Sequence, residues 1–180
     1  MKRNRAVSTA IVIGVLFVAG WWIFRRGSAQ TLDLLPQYGA AVKQPATGFT
    51  VAPFTLDGDT KTAVAAPANS RLTWRVKVPE NGWLHVALAL KPEAWTKEGD
   101  GVYFFVGASD GRSFDELFNE TVNPYKNPAD RRWIPVVVDL SGYAGEEIQL
   151  VFNTRVSAPG TPVDPRNDLP LWGAPEIVIR

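Results

Sequence analysis

The stretch DRRWIPVVVDLSGYAGEEIQLVF, residues 130–152, sets two apolar runs on either side of a polar, glycine-containing knot. In the first run Trp133, Val137 and Asp139 alternate with Ile134, Val136, Val138 and Leu140, so the two sets point to opposite faces of an extended strand. Pro135 brings no backbone N–H, which places that strand at a sheet edge or at a bulge. Asp139 and Ser141 offer side-chain oxygens to the amides of a following turn, and Gly142 and Gly145 tolerate positive φ. Tyr143 is placed to fold over this corner, and the chain returns through Ile148, Leu150 and Phe152. Such a pattern is a strand, a tight corner and a second strand.

Outward from this stretch the same period recurs. SRLTWRVKV (70–78) alternates cleanly, with Leu72, Trp74, Val76 and Val78 on one face and Arg71, Thr73, Arg75 and Lys77 on the other. GWLHVALAL (82–90) is almost continuously apolar and suits a central strand covered on both faces. VYFFVGAS (102–109) is similar and is followed by the turn signal Asp110-Gly111. FTVAPFTL and TKTAVAA (49–66) predict two more strands, and APEIVIR closes the chain. No useful helical period appears beyond residue 26. Roughly eight short strands predict an all-β fold, a jelly-roll-type antiparallel β-sandwich over residues 49–180.

The segments RLTWRVKVP, GDGVYFFVGASDG, LFNETVNP, DRRWIPVVVDLSGYAG and LPLWGAPEIVI carry a resemblance. Together they resemble the galactose-binding-like or carbohydrate-binding-module-like jelly-roll domains of bacterial exported proteins, over residues 70–180. In that group a tryptophan strand leads into an Asp-Leu-Ser corner and a late Trp-Gly-x-Pro precedes the last strand. The resemblance implies a fold; its members bind sugars, bind proteins or act as spacers, through loop residues that vary, so no site is carried over.

Ahead of the sandwich, residues 6–24 (AVSTAIVIGVLFVAGWWIF) contain no charge. As a helix this run reaches about 30 Å, the depth of a bilayer's hydrocarbon core. Trp21 and Trp22 suit the interface and Arg25 and Arg26 the headgroups, while Lys2, Arg3 and Arg5 favour a cytoplasmic N-terminus. Residues 1–26 are therefore expected to be a cytoplasmic tail and an uncleaved transmembrane helix. Gly27-Ser28-Ala29 as a signal-peptide cleavage site is the rival reading. Ala10 and Gly14 form a small-xxx-small pair that admits a second helix. Residues 27–48, with scattered Gly, Pro and Ala, read as a linker with a helical turn near Leu32–Leu35.

Composition removes whole classes of chemistry. With no cysteine, disulfides, thiolate nucleophiles and cysteine metal sites are excluded, and His85 alone cannot make a two-histidine metal site. Five of the 19 basic residues precede residue 27, leaving 14 against 18 acids, a net of −4, which argues against nucleic-acid binding. His85 lies within an apolar strand, where a packed or outward-facing ring is the expected role rather than a general base. Asp115/Glu116 and Glu146/Glu147 are sequence neighbours and so point apart on a strand, unlike a glycosidase pair. Asn119-Glu120-Thr121 matches the glycosylation sequon.

The remaining candidates are binding surfaces. Trp95, Trp133 and Trp172 could stack on a sugar ring, with core or corner packing the alternative for Trp74, Trp83 and Trp133. Arg131 and Arg132, with Lys126, are candidates to meet an acidic partner, a solvated loop being the default. Asp57, Asp59, Glu98 and Asp100 beside glycines suit a structural calcium ion, though turn capping explains each alone; no other cofactor is expected. The expectation is a non-enzymatic, single-pass accessory subunit of the bacterial inner membrane with its sandwich in the periplasm. Its partners would be lipid and other membrane-protein subunits, with electron-transport and photosynthetic reaction-centre assemblies as candidate hosts that no residue selects. The alternative is a membrane-tethered carbohydrate-binding module that meets glycan.

Overall fold

The alternation of SRLTWRVKV survives folding: Leu72, Trp74 and Val76 are buried while Arg71, Arg75 and Lys77 are exposed. In the computed structural model, which describes residues 30–179, the chain forms eleven strands. They are β1 (Thr31–Asp33), β2 (Val42–Gln44), β3 (Thr50–Leu56), β4 (Asp59–Ala65), β5 (Ser70–Lys77) and β6 (Gly82–Leu90). After these come β7 (Val102–Ser109), β8 (Phe114–Val122), β9 (Ile134–Asp139), β10 (Glu147–Arg155) and β11 (Pro170–Ile179). One sheet runs β3-β4-β11-β6-β9 with β1 added along β11; the other runs β2-β5-β10-β7-β8, and every pairing is antiparallel. Removing β1, β2 and β3 leaves two four-stranded sheets, β4-β11-β6-β9 and β5-β10-β7-β8, the strand order of a jelly roll.

The core lies between the sheets. Trp172 of β11 meets Phe104 of β7 edge-on with ring centroids 4.9 Å apart, and Phe152 of β10 at 4.8 Å. Phe152 in turn stands edge-on to Trp74 at 4.9 Å. This aromatic seam crosses from one sheet to the other, and edge-to-face geometry adds about 0.5–1.5 kcal/mol per pair beyond the area buried. A second, smaller apolar layer covers the outside of the six-stranded sheet. Ala63, Ala65, Ala87, Ala89 and Leu171 form its floor and Trp133 its roof, which explains the small residues in HVALAL.

The opening stretch forms the expected corner. β9 is an edge strand paired only with β6, as Pro135 requires. The Ser141 amide donates to Asp139 Oδ1 at 2.8 Å and a 3₁₀ turn spans Ser141–Tyr143, after which the chain crosses to the other sheet as β10. Gly145 takes φ +78°, but Gly142 stays out of the left-handed region, so only one of the two glycines is needed for its freedom. Tyr143 packs against the core and its hydroxyl donates to Asp115 Oδ2 at 2.7 Å.

Two expectations need correction. Residues 31–44, read as linker, are part of the sandwich: β1 pairs with β11, β2 with β5, and Leu34 between them is fully buried. The helical turn there is a 3₁₀ segment at Leu35–Ala40. β8 was not among the predicted strands because exposed Asp115, Glu116, Asn119 and Glu120 erase its alternation. The expected anchor, including Ala10, Gly14, Trp21, Trp22, Arg25 and Arg26, lies outside the described residues. Among the described residues no helix is long and apolar enough to cross a membrane.

Candidate functional site

Four connections gather at one end of the sandwich: residues 66–69, 91–101, 123–133 and 156–169. Their side chains stitch them together. Asn123 Nδ2 donates to the Gly99 carbonyl at 3.2 Å, Asn167 Nδ2 to the Glu98 carbonyl at 2.8 Å, and Thr154 Oγ1 to the Pro67 carbonyl at 3.0 Å. Gly99 and Gly101 permit this closeness, since a Cβ on either would lie 2.7 Å from the Arg166 carbonyl oxygen or 2.5 Å from that of Val122.

The expected binding residues take other roles here. Trp172 is fully buried in the central seam and Trp133 is 5 % exposed, its Nε1 donating to the Asp59 carbonyl and its ring lying against Gly173. Neither indole presents a plane to solvent. Trp95 is half-buried beside the same outer layer and donates Nε1 to the Leu90 carbonyl at 2.9 Å. Arg131 ties two loops through Nε to the Pro124 carbonyl and Nη2 to the Trp95 carbonyl, so its guanidinium is spent within the fold. Arg132 is exposed and donates to the Ala129 carbonyl.

The four carboxylates proposed for calcium do not act together. Asp59 pairs with Lys61 at 2.9 Å and Glu98 with Arg166 at 3.5 Å. No three His, Cys, Asp or Glu side chains converge to hold a metal among the described residues. His85 faces Glu176 and Val137 across neighbouring strands, in the body of the six-stranded sheet rather than at the loop end.

What the loop end does assemble is a graded set of acids around Arg166. Its guanidinium forks onto Asp164, Nε to Oδ1 at 2.8 Å and Nη2 to Oδ2 at 2.7 Å, and these hydrogen bonds hold the Asp164 carboxyl down at about 2. Asp168, four residues on, is 8 % exposed, and no described group donates to either of its oxygens. Loss of water, then the charges of Asp100 and Asp164, push its carboxyl up to about 7. Around the mouth stand Lys97, Asn167 and Tyr125, a residue that is 43 % exposed. The cavity beneath has a volume of about 10 Å³, room for one water-sized species and none for a reacting substrate. The exposed rim can therefore recognise a ligand through aromatic contact and hydrogen bonds. No nucleophile and base meet there.

Sequence reading missed Tyr125, Asp164, Arg166 and Asp168. NPYKNPADRR and PVDPRNDLP announce loops through their prolines and asparagines, and nothing local marks Asp168 as the one carboxylate of its loop that is driven inside.

No protein-family model matches the chain. An uncharacterized protein of Archaeoglobus fulgidus is 40 % identical over 104 residues, which is 57 % of this chain and 25 % of that protein. The chain thus corresponds to about a quarter of that relative's length. Among solved structures, one containing the second CBM51 module and INT domains of Clostridium perfringens ZmpB, in complex with GlcNAc, aligns with a TM-score of 0.56 at 13 % identity. That alignment covers 83 % of this chain and 32 % of the other. The CBM51 module of a Clostridium perfringens GH95 protein, in complex with methyl-galactose, aligns at 0.53 and 13 %, covering 82 % and 99 %. The domain thus has the β-sandwich fold of carbohydrate-binding modules.

Proposed function

We propose that this protein is a non-catalytic recognition module whose loop end binds glycan. The observation that carries the reading is the half-exposed Tyr125, set among Lys97, Arg166 and Asn167 at the end of a sandwich with this fold. A phenol ring offers an apolar plane to a sugar face while the Lys97 ammonium and the second N–H of the Asn167 amide donate to its hydroxyls, which is how a small polar set confers orientation on an otherwise apolar contact. The indole platform expected from the sequence is replaced by this single tyrosine, because Trp133 and Trp172 are consumed by packing. No described residue favours the membrane-complex subunit reading, which gives way to this one.

A glycan array followed by calorimetric titration of the best hit tests the proposal. Binding to at least one glycan is expected, with Tyr125→Ala weakening it about tenfold, near 1.4 kcal/mol, at unchanged Tm. An array with no hit, or full affinity in Tyr125→Ala, would remove the reading. The uncharged run of residues 6–24 further supports a tethered module displayed outside the cytoplasmic membrane. Carbonate-resistant retention in membranes, with the C-terminal domain open to external protease on spheroplasts, is the expected result; release as a soluble, shortened protein would favour cleavage instead.

A further inference from the structure

Near the middle of β8 stands Asn119, followed by Glu120 and Thr121. The sequence holds eight asparagines, and only this one meets the Asn-x-Ser/Thr pattern, so the pattern selects a single position. Asparagine is depleted in strands, and its presence inside one calls for a reason. Packing supplies none: Asn119 is exposed, and its Nδ2 donates to the equally exposed Glu116 Oε1 at 2.7 Å. The asparagines of the loop end, by contrast, hold backbone groups, Asn123 the Gly99 carbonyl, Asn127 the Ala129 amide and Asn167 the Glu98 carbonyl.

The fold presents the acceptor well. β8 lies at the edge of the five-stranded sheet and pairs with β7 alone. Asn119 stands opposite Phe105 and Thr121 opposite Tyr103, whereas Phe104 and Val106 of the same strand fill the core. Asn119 and Thr121 therefore project side by side from the outer face of the sheet, and both are exposed.

We propose that Asn119 is an N-glycosylation site, modified on the outer side of the cytoplasmic membrane. The co-reactant is an oligosaccharide carried on a polyprenyl phosphate. Asn119 Nδ2 bonds to the anomeric carbon of the first sugar, and the bond from that carbon to the phosphate oxygen breaks. The lipid phosphate leaves with the electron pair, and one Nδ2 proton passes to a base of the transferase. The attached sugar would stand over the open edge of the sheet, where the acids of β8 already deter pairing with another chain. This rests on display of the domain outside the membrane and not on recognition of glycan by Tyr125.

Mass spectrometry of the full-length chain, purified from the membranes of the cells that make it, tests the site. The peptide containing Asn119 is expected to carry added hexose or hexosamine mass, localised to Asn119 by fragmentation. Thr121→Ala keeps the asparagine and should lose the added mass completely, as should Asn119→Gln, while Thr121→Ser should retain it. An unmodified Asn119 in a chain whose C-terminal domain is open to external protease overturns the proposal, as does added mass that survives Thr121→Ala. A domain closed to that protease overturns the display reading and this proposal together. Should Asn119→Gln fail to fold, Thr121→Ala decides by the same criterion. Neither substitution touches Tyr125, so recognition of glycan and attachment of glycan fail separately.

Discussion

Trp133 owes its position to a glycine. Its ring occupies space that a side chain on Gly173 would take, since a Cβ there would sit 2.7 Å from the indole. Gly173→Ala should therefore overpack the outer layer and cost about 1–3 kcal/mol, read as a lower denaturation midpoint at unchanged m-value. Wild-type stability in that variant would show that the ring is free to move aside. Tyr143 is constrained by a different cause: burial, then its hydrogen bond to Asp115, push its phenol up to about 12. Because the folded value is raised, the stability it contributes is full below the ordinary phenol value of about 10 and is lost as pH rises through about 12. Burial also raises Tyr38 and Tyr103, so an absorbance titration should show several tyrosines ionising above the ordinary value, with the last of them missing in Tyr143→Phe. If the phenol lost in that variant were instead one that ionises near the ordinary value of about 10, the corner contact would not exist in solution.

At the scale of elements, the segment before β3 carries the clearest consequence. β1 continues along β11 where β4 stops, pairing with Glu176–Val178 beyond the irregularity after Gly173, and β2 extends the other sheet along β5. Leu34, fully buried between them, locks the segment to the core. Leu34→Ala should cost about 2–5 kcal/mol, and limited proteolysis should leave residues 31–48 attached to the protected sandwich. Rapid cleavage between residues 31 and 48 would restore the linker reading. The segment evades sequence analysis because three-residue strands are too short to show a period. β8 evades it for another reason: its exposed acids leave no apolar stripe, and on an edge strand such charges discourage pairing with another chain.

Across the whole molecule, the seam Trp74–Phe152–Trp172–Phe104 belongs to both sheets at once. Neither sheet can lose its partner and keep its core. Denaturation of the chain should accordingly show near-ultraviolet and far-ultraviolet circular dichroism falling together in one transition. Trp172→Ala should lower stability by about 3–5 kcal/mol. Transitions that separate would mean that the sheets hold together without the seam.

The sequence by itself determined what repeats locally: the alternation of Leu72, Trp74 and Val76, the edge position of the Pro135 strand, the Asp139–Ser141 corner, and through them the all-β sandwich. Period and turn chemistry reside in neighbouring residues, so they can be read without the fold. Only the tertiary structure decided which tryptophans are covered and which carboxylate is buried. Those outcomes depend on groups far apart in the chain, Gly173 under Trp133 and Gly99 against the Arg166 carbonyl, and no local pattern encodes how closely such segments approach.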